Sequence, residues 1–220
     1  MNIKNIIIIF FLLKVVVYSQ SENKCLDANG FTTSYSISSF NTIFPDGNHQ
    51  VEMSFFEMGN TSLDLEGQRQ RVDYLVVMPG GVSLIGSYWA FGKTNQFYEL
   101  VNGECTLSQL EFTLPSSYPI NDTKNIGTTK IGQFPTDIYI LDEIASPVIQ
   151  TILYDIKQCA MVSSIINNKD ITNPGFATMN YLNFENSYTE SWFDLPNECI
   201  SQVNRVKSEY KSISNVHKLF

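Results

Sequence analysis

Histidine is almost missing from this 220-residue chain, which has only His49 and His217, and none of its four cysteines forms a C-x-x-C pair. A zinc centre or a Cys–His catalytic pair needs more than that. Basic residues are scarce too, 14 Lys and Arg against 22 Asp and Glu. No clustered basic face is available, which excludes a nucleic-acid footprint. The sequence holds no G-x-S-x-G elbow, no H-E-x-x-H and no G-x-x-x-x-G-K phosphate loop. No run reaches the about 18 apolar residues of a membrane span.

The longest apolar run, Ile6–Leu13, lies between Lys4 and Lys14 and is followed by Val15–Val17 and small or polar residues. That pattern predicts a secretory signal over residues 1–19, cleaved after Ser19. Removing Lys4 and Lys14 with it leaves 12 basic against 22 acidic residues, an acidity read as solubility. Residues 20–199 are expected to form one domain, since no repeat or linker marks a second. Residues 200–220 differ. Ile200, Val203, Val206, Tyr210 and Ile213 recur every three or four positions, the spacing of an amphipathic helix.

The stretch Leu65–Cys105 organises the chain. Val72, Tyr74, Val76 and Met78 alternate with Arg71 and Asp73, as in a strand with one buried face. Pro79-Gly80-Gly81 reverses the chain into the apolar run Val82–Phe91, and Gly92–Asn95 turns it again into Phe97–Val101. Upstream, Phe31–Phe40 presents Thr33, Tyr35 and Ile37 on one face, and His49–Met58 alternates cleanly before a turn expected at Gly59-Asn60. Downstream, Leu107, Leu110 and Phe112 suit a helical turn, and Asn121–Gly132 reads as an exposed loop. Strands resume at Asp137–Asp142, Val148–Lys157, Cys159–Ile166 and Phe176–Phe184.

The expectation is mainly β: about nine or ten strands in one large, curved antiparallel sheet, with few helices covering it. Twenty-eight aromatic residues are available to line a concave face. Alternation places Phe55, Tyr74, Val76, Tyr88, Trp89, Tyr154 and Phe184 on an apolar pocket. For any single ring, a place in a bulky core is the better account.

Reactive groups are thin. Asp64 and Glu66 share one side of a strand, as the two acids of a glycosidase would, but a solvated face explains them more simply. Asn167, Asn168, Asp170, Asp137, Asp142 and Glu143 offer oxygen ligands for calcium without the D-x-[DN]-x-[DN]-G loop, so no metal site is assigned. Asn60-Thr61-Ser62 and Asn121-Asp122-Thr123 are glycosylation sequons. In an oxidising compartment Cys25, Cys105, Cys159 and Cys199 read as two disulfides, with three connectivities open.

The order of features resembles the ependymin family of secreted glycoproteins. An early cysteine precedes Arg69-x-Arg71-Val72-Asp73-Tyr74-Leu75, then Glu104-Cys105, Cys159 with Val162-Ser163, Asn180–Phe184, Trp192-Phe193, Leu195-Pro196 and Cys199. The resemblance implies a half-closed antiparallel sheet similar to bacterial lipoprotein carriers, with bonds Cys25–Cys159 and Cys105–Cys199. It also implies a secreted or lysosomal protein that binds a lipid or other hydrophobic ligand, with calcium, homodimer formation and extracellular matrix as associations. The leading reading is therefore a non-enzymatic binder of an apolar ligand without a cofactor. The alternative is a calcium-associated cell–matrix adhesion glycoprotein without a cavity, and a hydrolase is the third.

Overall fold

The computed structural model describes residues 28–46, 49–117, 123–144 and 146–201. The signal segment, Cys25, Asn121 and the tail from residue 202 onward lie outside the described residues.

Among the described residues, eleven antiparallel strands form one sheet: β1(Gly30–Asp46), β2(His49–Asp64), β3(Arg69–Val77), β4(Ser83–Phe91), β5(Gln96–Val101), β6(Glu104–Gln109), β7(Lys124–Ile131), β8(Phe134–Leu141), β9(Val148–Asp155), β10(Ala160–Asn168) and β11(Phe176–Glu185). Their order is β6-β5-β4-β3-β2-β1-β11-β10-β9-β8-β7. The chain starts at the centre on β1 and steps outward to β6. It resumes at the opposite edge on β7 and returns until β11 pairs with β1. Short turns make this possible. Asn102 and Gly103, both at positive φ, form the two-residue hairpin joining β5 to β6. Register shifts at Ser39/Thr42, Thr32/Ser34, Met161/Ser163 and Asn125/Gly127 interrupt the ladders. Such irregularities bend strands and increase their twist.

The stretch from Leu65 to Cys105 is a meander, as its pattern predicts, but it forms one flank of the sheet rather than its middle. The middle is β2, β1 and β11. No turn occurs at Gly59-Asn60; β2 runs unbroken through both. Gly59 is needed there because a Cβ would meet the Asp73 carbonyl oxygen at 2.0 Å and the Tyr35 hydroxyl at 2.9 Å. A glycine inside a strand marks a close approach.

Two other expectations fail. Leu107 is in β6, and Leu110 and Phe112 follow it without forming a helical turn. Lys124–Ile131, read as a loop, is the edge strand β7. Nearly all its side chains are exposed, so it has no apolar alternation to betray it. Its ladder to β8 holds it in place.

One face, here called inner, carries the main core from Phe97 on β5 to Tyr139 on β8. On the outer face the chain after β11 returns through a 3-10 turn, Glu190–Phe193, and a short helix α1(Asn197–Ser201). Arg69 joins Asp64 to Glu190 and stacks over Phe193, 4.6 Å from the ring centroid. Arg71 lies over Trp89 and Trp192 and donates to the Trp192 carbonyl at 3.2 Å. Cys105 and Cys199 are bonded across this face. The Arg-x-Arg and Trp-Phe motifs are thus a clasp.

Candidate functional site

The inner face of β1 to β5 is mainly apolar, with a small group of tyrosines, glutamates and threonines set into it. Cross-strand register aligns Tyr35, Gly59, Tyr74 and Gly86 in one row, and Ile37, Glu57, Val76 and Leu84 in the next. A third row holds Thr33, Thr61, Val72, Tyr88 and Glu99. Both glycines leave space that a tyrosine fills. Tyr35 lies over Gly59 and donates its hydroxyl to Glu57 Oε1 at 2.6 Å. Tyr74 lies over Gly86 and reaches Glu99 Oε1 at 3.0 Å.

Glu57 is fully buried and Glu99 is 8% exposed. Carboxylates so placed require donors, and the phenols supply them. Burial, then the adjoining Glu57 charge, pushes the Tyr35 hydroxyl well above its ordinary range. Burial and Glu99 do the same to Tyr74, and burial with the Glu57 charge to Tyr88. The three phenols are thus held in the protonated form, able to donate hydrogen bonds. The group offers polar anchoring within an apolar surface.

Of the seven residues expected on the pocket, Phe55, Tyr74, Val76, Tyr88 and Tyr154 belong to the inner core. Phe184 is half-buried and packs against it, its ring 4.9 Å from Phe31. Trp89 is the correction. It follows Tyr88 directly on β4, so it faces the opposite way. It sits in a separate outer cluster with Tyr98, Cys105 and Cys199. The glutamates Glu57 and Glu99 escaped the sequence reading. Their signal was present: each is the acid at an apolar strand position, in phase with Phe55 and Phe97 respectively.

Asp64 does not lie on a solvated face. It is 1% exposed, accepts from Gly67 N–H at 2.7 Å and pairs with Arg69. Burial alone would raise its carboxyl; the Gly67 N–H and the Arg69 guanidinium together hold it below the usual range.

Three of the oxygen-bearing loop residues have partners within the fold. Asn168 accepts from Ile43 N–H and donates to the Asn41 and Asn173 carbonyls. Asp170 accepts from Thr172, and Asp142 pairs with Lys169 at 2.6 Å. Among the described residues, no group of three or more His, Cys, Asp or Glu converges to hold a metal ion. Asn60 is exposed on β2, its Oδ1 accepting from Ser34 Oγ at 2.7 Å. Cys159 is disulfide-bonded; Cys25, its expected partner, lies outside the described residues. No helix among the described residues is long and apolar enough to cross a membrane.

The fold is similar to that of an uncharacterized conserved protein from Thermus thermophilus. That similarity has a TM-score of 0.50 at 8% identity and covers 80% of this chain and 91% of that one. The Pseudomonas aeruginosa MucA/MucB complex is similar at a TM-score of 0.36 and 12% identity, over 86% of this chain and 63% of that one. In sequence, an uncharacterized protein of Dictyostelium discoideum is 33% identical over 192 residues, or 86% of this chain. This chain spans 60% of that relative's length. The family model for the amoebozoan ependymin domain matches residues 23–219. With that match across the clasp, the Cys105–Cys199 bond and the inner face, the chain belongs to the ependymin family.

Proposed function

We propose that this protein is a non-enzymatic binder of a lipid or similar apolar ligand, working in a secreted or luminal compartment. The observation that carries the reading is the inner face. It gathers Tyr35, Phe55, Tyr74, Val76 and Tyr88, each 5% exposed or less, into one apolar layer with only a few polar anchors. A hydrocarbon chain would enter by parting the buried rings, and a hydroxyl or amide of its head would meet the Tyr74–Glu99 pair. The protonated tyrosines and the lack of a nucleophile–base pair in this group favour binding over hydrolysis. The disulfides favour an oxidising compartment. A glycan on Asn60 would stand off the outer face, clear of the inner one.

Titration with a fluorescent fatty acid tests the proposal. Saturable binding that weakens in Tyr74→Phe but persists in Trp89→Phe supports an inner-face site. Equal loss in both variants, or no binding in the wild type, counts against it. One observation favours the adhesion reading: Val76, Tyr88 and Tyr154 have no solvent exposure, the packing of a closed core.

A further inference from the structure

The end of the sheet where β8 meets β9 and β10 meets β11 carries exposed apolar side chains on fixed supports. Ile144, in the β8–β9 loop, is fully exposed, and Ile171, in the β10–β11 loop, is 92% exposed. Lys169 ties the two loops together. Its N–H donates to the Pro147 carbonyl at 2.9 Å, and its Nζ reaches the Glu143 carbonyl and the Asp142 carboxylate at 2.6 Å. Asn168 anchors the second loop to β1 through the Asn41 carbonyl at 3.0 Å. The isoleucines are therefore held outward on braced loops.

Beside Ile171 lies an open cleft of about 480 Å³, lined by Phe40, Phe176, Asn167, Asn168, Asp170 and Pro174 among others. Phe40 and Phe176 are cross-strand partners on β1 and β11, their rings tilted by 37° with centroids 6.3 Å apart, and both are exposed. The charges around it are mostly acidic. Glu52, Asp142, Glu143 and Asp170 are all exposed, and the nearby Lys169 is already paired with Asp142.

We infer that this end docks on a lipid surface bearing choline headgroups, with Ile144 and Ile171 entering the interface and the Phe40–Phe176 cleft receiving a trimethylammonium group. Two exposed aromatic rings and the Asp170 carboxylate lining one cleft suit a quaternary ammonium, attracted both to the ring quadrupoles and to the negative charge. The acidic surround repels anionic lipid, which distinguishes this end from a polybasic membrane contact. Isoleucines on two separate tips suit a deformable interface, where apolar side chains bury themselves at headgroup depth. The inference does not require a ligand on the inner face.

Sedimentation of the full chain with phosphatidylcholine vesicles, and with vesicles half phosphatidylglycerol, tests it. The wild type should bind the first and lose at least fivefold on the second. The double variant Ile144→Ser/Ile171→Ser should bind phosphatidylcholine at least tenfold more weakly with an unchanged melting temperature, because both side chains are exposed. Phe176→Ala should lose the preference for choline lipid, and free phosphocholine should compete in the wild type. Absence of vesicle binding, stronger binding to phosphatidylglycerol, or equal binding by the double variant would overturn the inference. The fatty-acid titration reads the inner face separately, so either reading can fail alone.

Discussion

The Tyr74 hydroxyl crosses Gly86 on the neighbouring strand to donate to Glu99, one strand further on, at 3.0 Å. A Cβ on Gly86 would come within 2.5 Å of that hydroxyl and 3.1 Å of the Leu100 carbonyl oxygen. Gly86→Ala should therefore destabilise the fold by about 1–3 kcal/mol through overpacking. Tyr74→Phe removes a donor from a buried carboxylate and should cost about 1–3 kcal/mol. Because both changes act on one contact, urea melts of the double variant should show less than the summed loss. Strict additivity would mean that the tyrosine does not depend on the glycine.

Gly59 is the more severe site. A Cβ there meets the backbone oxygen of Asp73 at 2.0 Å, and a ladder carbonyl cannot swing aside as a side chain can. Gly59→Ala should fall at or above the top of the same ~1–3 kcal/mol range and beyond Gly86→Ala. Thermal melts of the two single variants give the comparison directly.

The Cys105–Cys199 bond closes 94 residues. Its removal in Cys105→Ser/Cys199→Ser should cost about 2–5 kcal/mol. Trp89 lies in the cluster beside that bond and is 3% exposed, so its emission should shift to the red as the clasp loosens. An unchanged spectrum would show that the arginine stacking alone holds the outer face.

Asp64 sets an acid-side dependence. Its folded carboxyl titrates below the usual value, so its contribution is fully present above the unfolded pKa of about 3.9. That contribution is lost as pH falls through the lower, folded value. Between pH 5 and 2, on the order of the window so defined, wild-type stability should decline more steeply than that of Asp64→Asn. Parallel curves would remove Asp64 from the account of acid unfolding.

Much of the sheet was legible because half-buried antiparallel strands alternate. Val72, Tyr74 and Val76 against Arg71 and Asp73 announced β3, and Thr33, Tyr35 and Ile37 announced β1. What stayed hidden lacked that signal. Lys124–Ile131 buries no face, so its sequence is a loop's while its backbone is a strand's. Gly59-Asn60 has turn composition, yet the glycine serves a tyrosine from the next strand, a contact no local pattern records. Alternation cannot hold both Tyr88 and Trp89 on the pocket: Val82–Phe91 is apolar on both faces, and adjacent residues of a strand point to opposite sides. Glu57 and Glu99 were passed over because acids suggest solvent; only the third dimension brings Tyr35 and Tyr74 to them.

The most direct test of lipid carriage is native mass spectrometry of the purified protein, followed by solvent extraction of the same sample. A carrier should show a mass excess that disappears on denaturation and reappears as lipid in the extract. A spectrum of the bare protein, unchanged after incubation with excess fatty acid or phospholipid, would contradict the reading and leave the inner aromatic face as core alone.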